Sequence, residues 1–200
     1  MTNVLFDKIR SDPKYSPQNS YQWFQKKVRE AFGNKQISSM QLMATAQQSL
    51  RTTILPGRMY SFVYYPKYHD NLPYYDVFPL VIPFNKNRTG FIGLNLHYLD
   101  YRYRLLLLNK LQQFAVHNRA GEVAYLRFSW NLIRNAARLP EVAPCVKRYL
   151  YGYTRSKFIQ IDSNEWHIAA MLPTENFKKA KLTEVWRNTR KQITGPKTWR

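Results

Sequence analysis

The sequence predicts a mixed α+β fold: a helical amino-terminal segment, a small antiparallel sheet over about residues 58–96, and helices packed against it through the carboxy-terminal half. Three observations carry this reading. Apolar residues recur at helical spacing at Tyr21, Phe24, Val28 and Phe32; β-branched and aromatic residues crowd the stretch after Pro56-Gly57; and helical spacing returns from Leu99. Strands and helices therefore fall in separate runs, which argues against a doubly wound sheet.

Taken in order, the helix through Tyr21–Phe32 meets a stop at Gly33, and a second helix is expected over about Ser39–Arg51, with Met40, Met43 and Leu50 available for packing. Arg58–Tyr65, Val77–Phe84 and Phe91–Leu96 are strand candidates. Pro79 and Pro83 assign the second of these to a sheet edge or an irregular path, because proline donates nothing to a ladder. Gly90 and Gly93 suggest close backbone approach or a positive φ. Further helices are expected over Leu99–Ala115, Glu122–Arg138 and, briefly, Val142–Tyr151, followed by an extended Arg155–Ile161. Asp162 and Glu165 have capping-box spacing ahead of a helix reaching Met171, and Thr174 is placed to cap a last helix ending near Lys191. The chain divides into a helical segment (1–55), an α+β core domain (56–191) and a basic tail (192–200); it has no repeat and no Gly/Ser linker.

The 200 residues carry 31 Lys+Arg against 12 Asp+Glu, a formal charge of +19, which points to phosphate-rich polymers, anionic membranes or acidic protein surfaces as partners. Hydrophobic residues make up 44% and aromatics 16%, so the charge belongs to a folded protein and not to a disordered basic arm. Residues 176–200 are the densest part, with Lys178, Lys179, Lys181, Arg187, Arg190, Lys191, Lys197 and Arg200 against Glu184 alone. The single Cys145 excludes an intrachain disulfide and a cysteine-rich zinc module, and suits a reducing compartment. Neither a signal-peptide pattern nor an apolar run of membrane-spanning length is present, so a soluble protein is expected.

The search for reactive groups favours a non-enzyme. His69, His97, His117 and His167 are scattered without metal-ligand spacing, no phosphate loop or nucleophile elbow occurs, and Cys145 reads as a buried thiol. Asp70, Asp76 and Asp100 are the only candidates for a magnesium-dependent nuclease, but they form no tight cluster; Asp76 reads as a turn residue and Asp100 as an acid at a helix start. No cofactor and no metal are expected.

Three stretches resemble a known family: PGRMYSFVYYPKYHDNLPYYDVFPLVIPF (56–84), GFIGLNLHYL (90–99) and CVKRYLYGYTRSKFIQIDSNEWHIAAMLPTENFKKAK with VWRNTRK (145–191). They are similar to small virion-associated proteins of large contractile-tailed bacteriophages of the T-even type, over about residues 56–191. The resemblance implies a structural component of the virion, assembled in the host cytoplasm, that sits on packaged double-stranded DNA near the portal or neck and protects the DNA end. The alternative it implies is a tail or baseplate component docking other virion proteins. On the first reading Lys178, Lys179, Lys181, Arg187, Arg190 and Lys191 contact phosphates without reading sequence, with Arg148, Arg155 and Lys157 in support; six such contacts give a log–log salt slope of roughly −5. On the second, Tyr74, Tyr75 and Trp186 anchor neighbouring subunits.

Overall fold

A computed structural model describes residues 4–16, 19–33, 35–117 and 142–194. These hold six α-helices, α1 (Val4–Arg10), α2 (Tyr21–Phe32), α3 (Ser39–Thr45), α4 (Tyr101–His117), α5 (Trp166–Met171) and α6 (Leu182–Thr194). The strands are β1 (Leu50–Arg51), β2 (Met59–Ser61), β3 (Tyr75–Asp76), β4 (Leu80–Lys86), β5 (Gly90–Asn95), β6 (Val146–Leu150), β7 (Phe158–Ile161) and β8 (Phe177–Lys178). Six strands form one antiparallel sheet in the order β1-β7-β2-β4-β5-β6, and β3 pairs with β8 separately. The α+β class is as expected; the helix expected over Glu122–Arg138 lies outside the described residues.

Local chemistry accounts for the first helices. Ser20 accepts from the Trp23 amide at 3.3 Å to open α2, and Gly33, at φ 66°, returns its N–H to the Arg29 carbonyl at 2.8 Å. Ser38 and Gln41 form a reciprocal capping box on α3. That helix stops at Thr45, well short of Arg51, because Leu50 and Arg51 pair with Ile159 and Phe158 as β1. Asp100 Oδ1 accepts from the Tyr103 amide at 3.2 Å, the helix-start role expected of it.

The segments around the sheet depart from expectation at Val142–Tyr151, Asp162 and Thr174. Val142–Tyr151 is not a helix: a 3₁₀ turn over Ala143–Cys145 leads into β6, which pairs with β5 from Gly90↔Leu150 to Leu94↔Val146. The free edge of β5 offers this segment a full ladder, and a helix over so few residues gains little to oppose it. Of the two paths expected from Pro79 and Pro83, strand β4 takes the irregular one: it is interior, between β2 and β5, with a register slip beside Pro83. The missing N–H is tolerated because β2 pairs β4 only at Leu80 and Val81, and the register slips between Pro83 and Asn85. Asp162 makes no side-chain cap, and Glu165 is buried against Arg10 at 3.5 Å. Thr174 does not cap the last helix; it is buried, β8 intervenes, and α6 runs on to Thr194.

Period-2 alternation buries both faces of the sheet. Met59, Leu80, Ile82, Leu94, Ile159 and Ile161 face a core shared with Phe6, Ile9, Phe24, Val28 and Leu42 of the amino-terminal helices. Tyr60, Phe62, Val81, Phe91, Tyr149 and Phe158 make a second, ring-rich core, with Phe62 in edge contact with Phe158 at 5.0 Å and Tyr149 at 5.3 Å. The strands approach closely at two glycines: a Cβ on Gly90 would lie 2.0 Å from the Tyr149 carbonyl oxygen, and one on Gly93 would lie 2.4 Å from Val81 Cγ1. Close approach, not a positive φ, is what both positions require.

His167 of α5 stacks on Phe24 with centroids 5.9 Å apart and places Nε2 2.8 Å from Asn109 Oδ1, while Nδ1 is buried without a hydrogen-bond partner among the described residues. Burial pushes this imidazole down to about 4 from 6.5. As pH falls from about 6.5 to about 4, the unfolded chain takes up a proton that the folded state refuses, so stability drops by up to about 1.4 kcal/mol per pH unit. Urea midpoints at neutral and mildly acidic pH are expected to converge in His167→Gln; an unchanged pH slope would exclude this residue as the source.

Candidate nucleic-acid interface

Helix α6 is amphipathic, and its rotation is fixed from inside. Val185 and Thr189 are buried, and Trp186 donates its indole N–H to the His97 carbonyl at 2.9 Å. The Trp186 ring meets Tyr101 edge-on at 5.2 Å, and the Arg104 guanidinium lies 5.7 Å from its centroid. Trp186 is thus half-buried and spent on anchoring its own helix. The opposite face presents Arg187, Arg190 and Lys191, and exposed Lys181 stands just ahead of the helix; with Thr183, Glu184 and Thr194 they border one open concavity of about 590 Å³. The i, i+3 and i+4 relations of Arg187, Arg190 and Lys191 put the three cations on one stripe. Within reach of Arg190 Nε, the Asp100 carboxylate is 4.0 Å away.

The remaining expected residues divide. Lys178 is exposed on β8. Lys179, at φ 67°, sends its ammonium to the carbonyls of His69 at 2.8 Å and Asp70 at 2.7 Å, so its charge is used to tie down the 66–73 loop. Arg155 and Lys157 are exposed beside the start of β7.

Arg148, Tyr74 and Tyr75, which the sequence assigned to two different kinds of contact, line a single cleft of about 380 Å³. Gln192, next after Lys191 on α6, borders the same cleft. So does Lys147, which sequence reasoning passed over; its ammonium lies 4.1 Å from the Tyr98 ring centroid. Burial lowers its pKa. The only sequence signal for it is its place beside Arg148 in a segment whose spacing suggests a helix and which folds as β6.

The three aspartates do not meet. Asp70 is exposed beside His69, Asp100 caps α4, and Asp76, at the end of β3, is buried while making the i, i+2 bond of a turn residue to the Phe78 amide. Asp76 Oδ2 lies 2.7 Å from His97 Nδ1 and accepts from Asn95 Nδ2 at 3.1 Å, while Oδ1 accepts from the Phe78 amide at 3.1 Å. His97 Nε2 is in turn 3.2 Å from Thr174 Oγ1. Carboxylate, imidazole and hydroxyl line up as in a hydrolase, but all three are buried, and a hydroxyl without access has no route to a substrate. Their work is to clamp β3 and the residues after β5 to the segment before β8. Among the described residues no group of three or more His, Cys, Asp or Glu is placed to hold a metal, and no helix is long and apolar enough to cross a membrane.

A family model described as phage T4 terminal DNA protecting protein matches residues 1–189, including the 55 amino-terminal residues outside the recognised stretches. No curated protein and no solved structure matches the chain.

Proposed function

The chain belongs to the phage T4 terminal DNA protecting protein family, and from that membership we propose that it binds the end of packaged viral duplex and shields it from exonucleases, without bond-making chemistry of its own. The observation that carries the interface is α6: a helix locked by Trp186 that, with Lys181 just ahead of it, turns Arg187, Arg190 and Lys191 outward against a single Glu184. Cations fixed on a rigid element release counterions from duplex phosphates without reading sequence, which is what a protector of arbitrary ends needs. Lys178, Arg148, Arg155 and Lys157 extend the same field. The protein acts in the virion, near the portal or neck, alongside other particle proteins; the surface through which it meets them includes the exposed rings of Tyr65 and Tyr68.

The test compares linear duplex with nicked circles of equal length at low and moderate salt, reading binding and resistance to an exonuclease. Preferential binding of linear DNA with protected ends is expected. Equal, salt-erased binding of both forms without protection would overturn the reading.

A further inference from the structure

The cleft beside α6 has the size, walls and charge of a nucleotide site. At about 380 Å³ it lies within the range of small-ligand pockets. Half-buried Tyr74 and Tyr75 face it, and behind them the buried rings of Tyr64, Tyr149 and Tyr98 make its back wall, Tyr64 and Tyr149 with centroids 4.9 Å apart and Tyr74 near Tyr98 at 6.0 Å. The Tyr64–Tyr149 pair is held rigidly, because the Tyr64 hydroxyl accepts from the Leu150 amide at 3.2 Å and Tyr149 stacks on Phe91. Asp76 reaches the floor, but its oxygens already accept from three donors besides facing His97. Lys147 is different: among the described residues its ammonium has no carboxylate partner and rests over the Tyr98 ring, and Arg148 stands exposed beside it. A half-buried cation facing an aromatic cleft is matched by a ligand that carries both an anion and a flat ring.

We propose that this cleft receives the last nucleotide of one DNA strand, frayed from its partner, with the base against the half-buried rings of Tyr74 and Tyr75 and its phosphate on Lys147 and Arg148. The inference rests on the end-protecting reading and adds a reason for end preference: α6 serves any stretch of backbone, whereas only a strand terminus can place a free base in the cleft. Fraying costs little at an end, and ring stacking is indifferent to base identity.

The experiment uses the full chain, its Lys147→Met and Arg148→Gln variants, and an Arg187→Gln/Arg190→Gln/Lys191→Gln variant. Probes are a hairpin duplex with one open end carrying an unpaired 5′-phosphorylated dA, a dumbbell closed at both ends, and dAMP followed by saturation-transfer NMR. Met keeps the stem of Lys147 and lacks only the charge, and Arg148 is exposed, so both variants are expected to fold. The hairpin is expected to lose about tenfold in affinity with Lys147→Met while the dumbbell is unchanged, and the dAMP signal to fade in both cleft variants. The helix variant is expected to weaken hairpin and dumbbell alike and to retain the dAMP signal, which separates failure of the cleft from failure of the backbone interface. Unchanged hairpin preference in both cleft variants would overturn the proposal. A dAMP signal without any preference for the open hairpin would overturn the DNA-terminus assignment and leave a free-nucleotide site.

Discussion

Neutralising Arg187, Arg190 and Lys191 together as glutamine is expected to abolish tight duplex binding at moderate salt and to flatten its salt dependence. With Lys179 engaged by the carbonyls of His69 and Asp70, five of the six cations first assigned to phosphate remain available: Lys178, Lys181, Arg187, Arg190 and Lys191. Five contacts give a log–log slope of roughly −4.5, and removing three leaves roughly −2. Stability should hold, because the three side chains are exposed and the Arg190–Asp100 pair at 4.0 Å belongs to the exposed class worth about 0–1 kcal/mol. Fluorescence anisotropy across a salt series, with circular dichroism as the folding control, reads both quantities. A slope unchanged from the parent would remove α6 from the interface. Lys179→Gln is the internal control: it should leave the slope in place while loosening the 66–73 loop.

Arg104→Met is expected to destabilise the fold by about 3–5 kcal/mol, the range for leaving one member of a buried ion pair alone. The guanidinium is fully buried, with Nη1 2.6 Å from Glu175 Oε1, Nε donating to the Leu99 carbonyl at 2.8 Å and Nη1 to the Ala170 carbonyl at 2.9 Å. Tyr101 also donates to Glu175 Oε2 at 3.2 Å, and the guanidinium lies 4.5 Å from the Tyr101 ring centroid. One side chain therefore joins α4, the end of α5, the segment ahead of β8 and, through the Tyr101–Trp186 contact, α6. Its removal leaves Glu175 buried with a charge and two carbonyls without donors. Urea unfolding should show the loss, and Arg104→Met/Glu175→Gln should recover part of it, because the second change removes the stranded charge. A double variant as unstable as the sum of the singles would mean that the two residues are not coupled. DNA affinity should fall with Arg104→Met as well, since Trp186 loses a neighbour that holds the cationic helix in place.

Arg104 also shows where sequence reasoning stops. In a chain of +19 it counts as one more surface cation, yet it is among the largest fully buried side chains. Nothing within a turn of it announces burial; the acid and the carbonyl that make burial tolerable lie 71 and 66 residues away. Trp186 is a similar case. Its composition and context suit an interface anchor, and the His97 carbonyl, 89 residues off, decides that it anchors its own helix.

Read from residues alone, the amino-acid sequence determined what depends on near neighbours: the α+β class, the apolar stripe of α2 and its Gly33 stop, the α4 start at Asp100, strands near 59–61, 80–86 and 90–95, and the concentration of positive charge toward the carboxy terminus. Those features follow from side-chain periodicity, capping and proline or glycine geometry, which act over a few residues. Tertiary structure alone decided that Val146–Leu150 pairs as a strand, that Asp76 clamps the core, that Lys179 is a tie, and that Lys147 meets Tyr74 and Tyr98 in one cleft. Each of these turns on ladder pairing or the pairing of buried polar groups between segments far apart in the chain, and the free energy of such contacts exists only once the partners have been brought together.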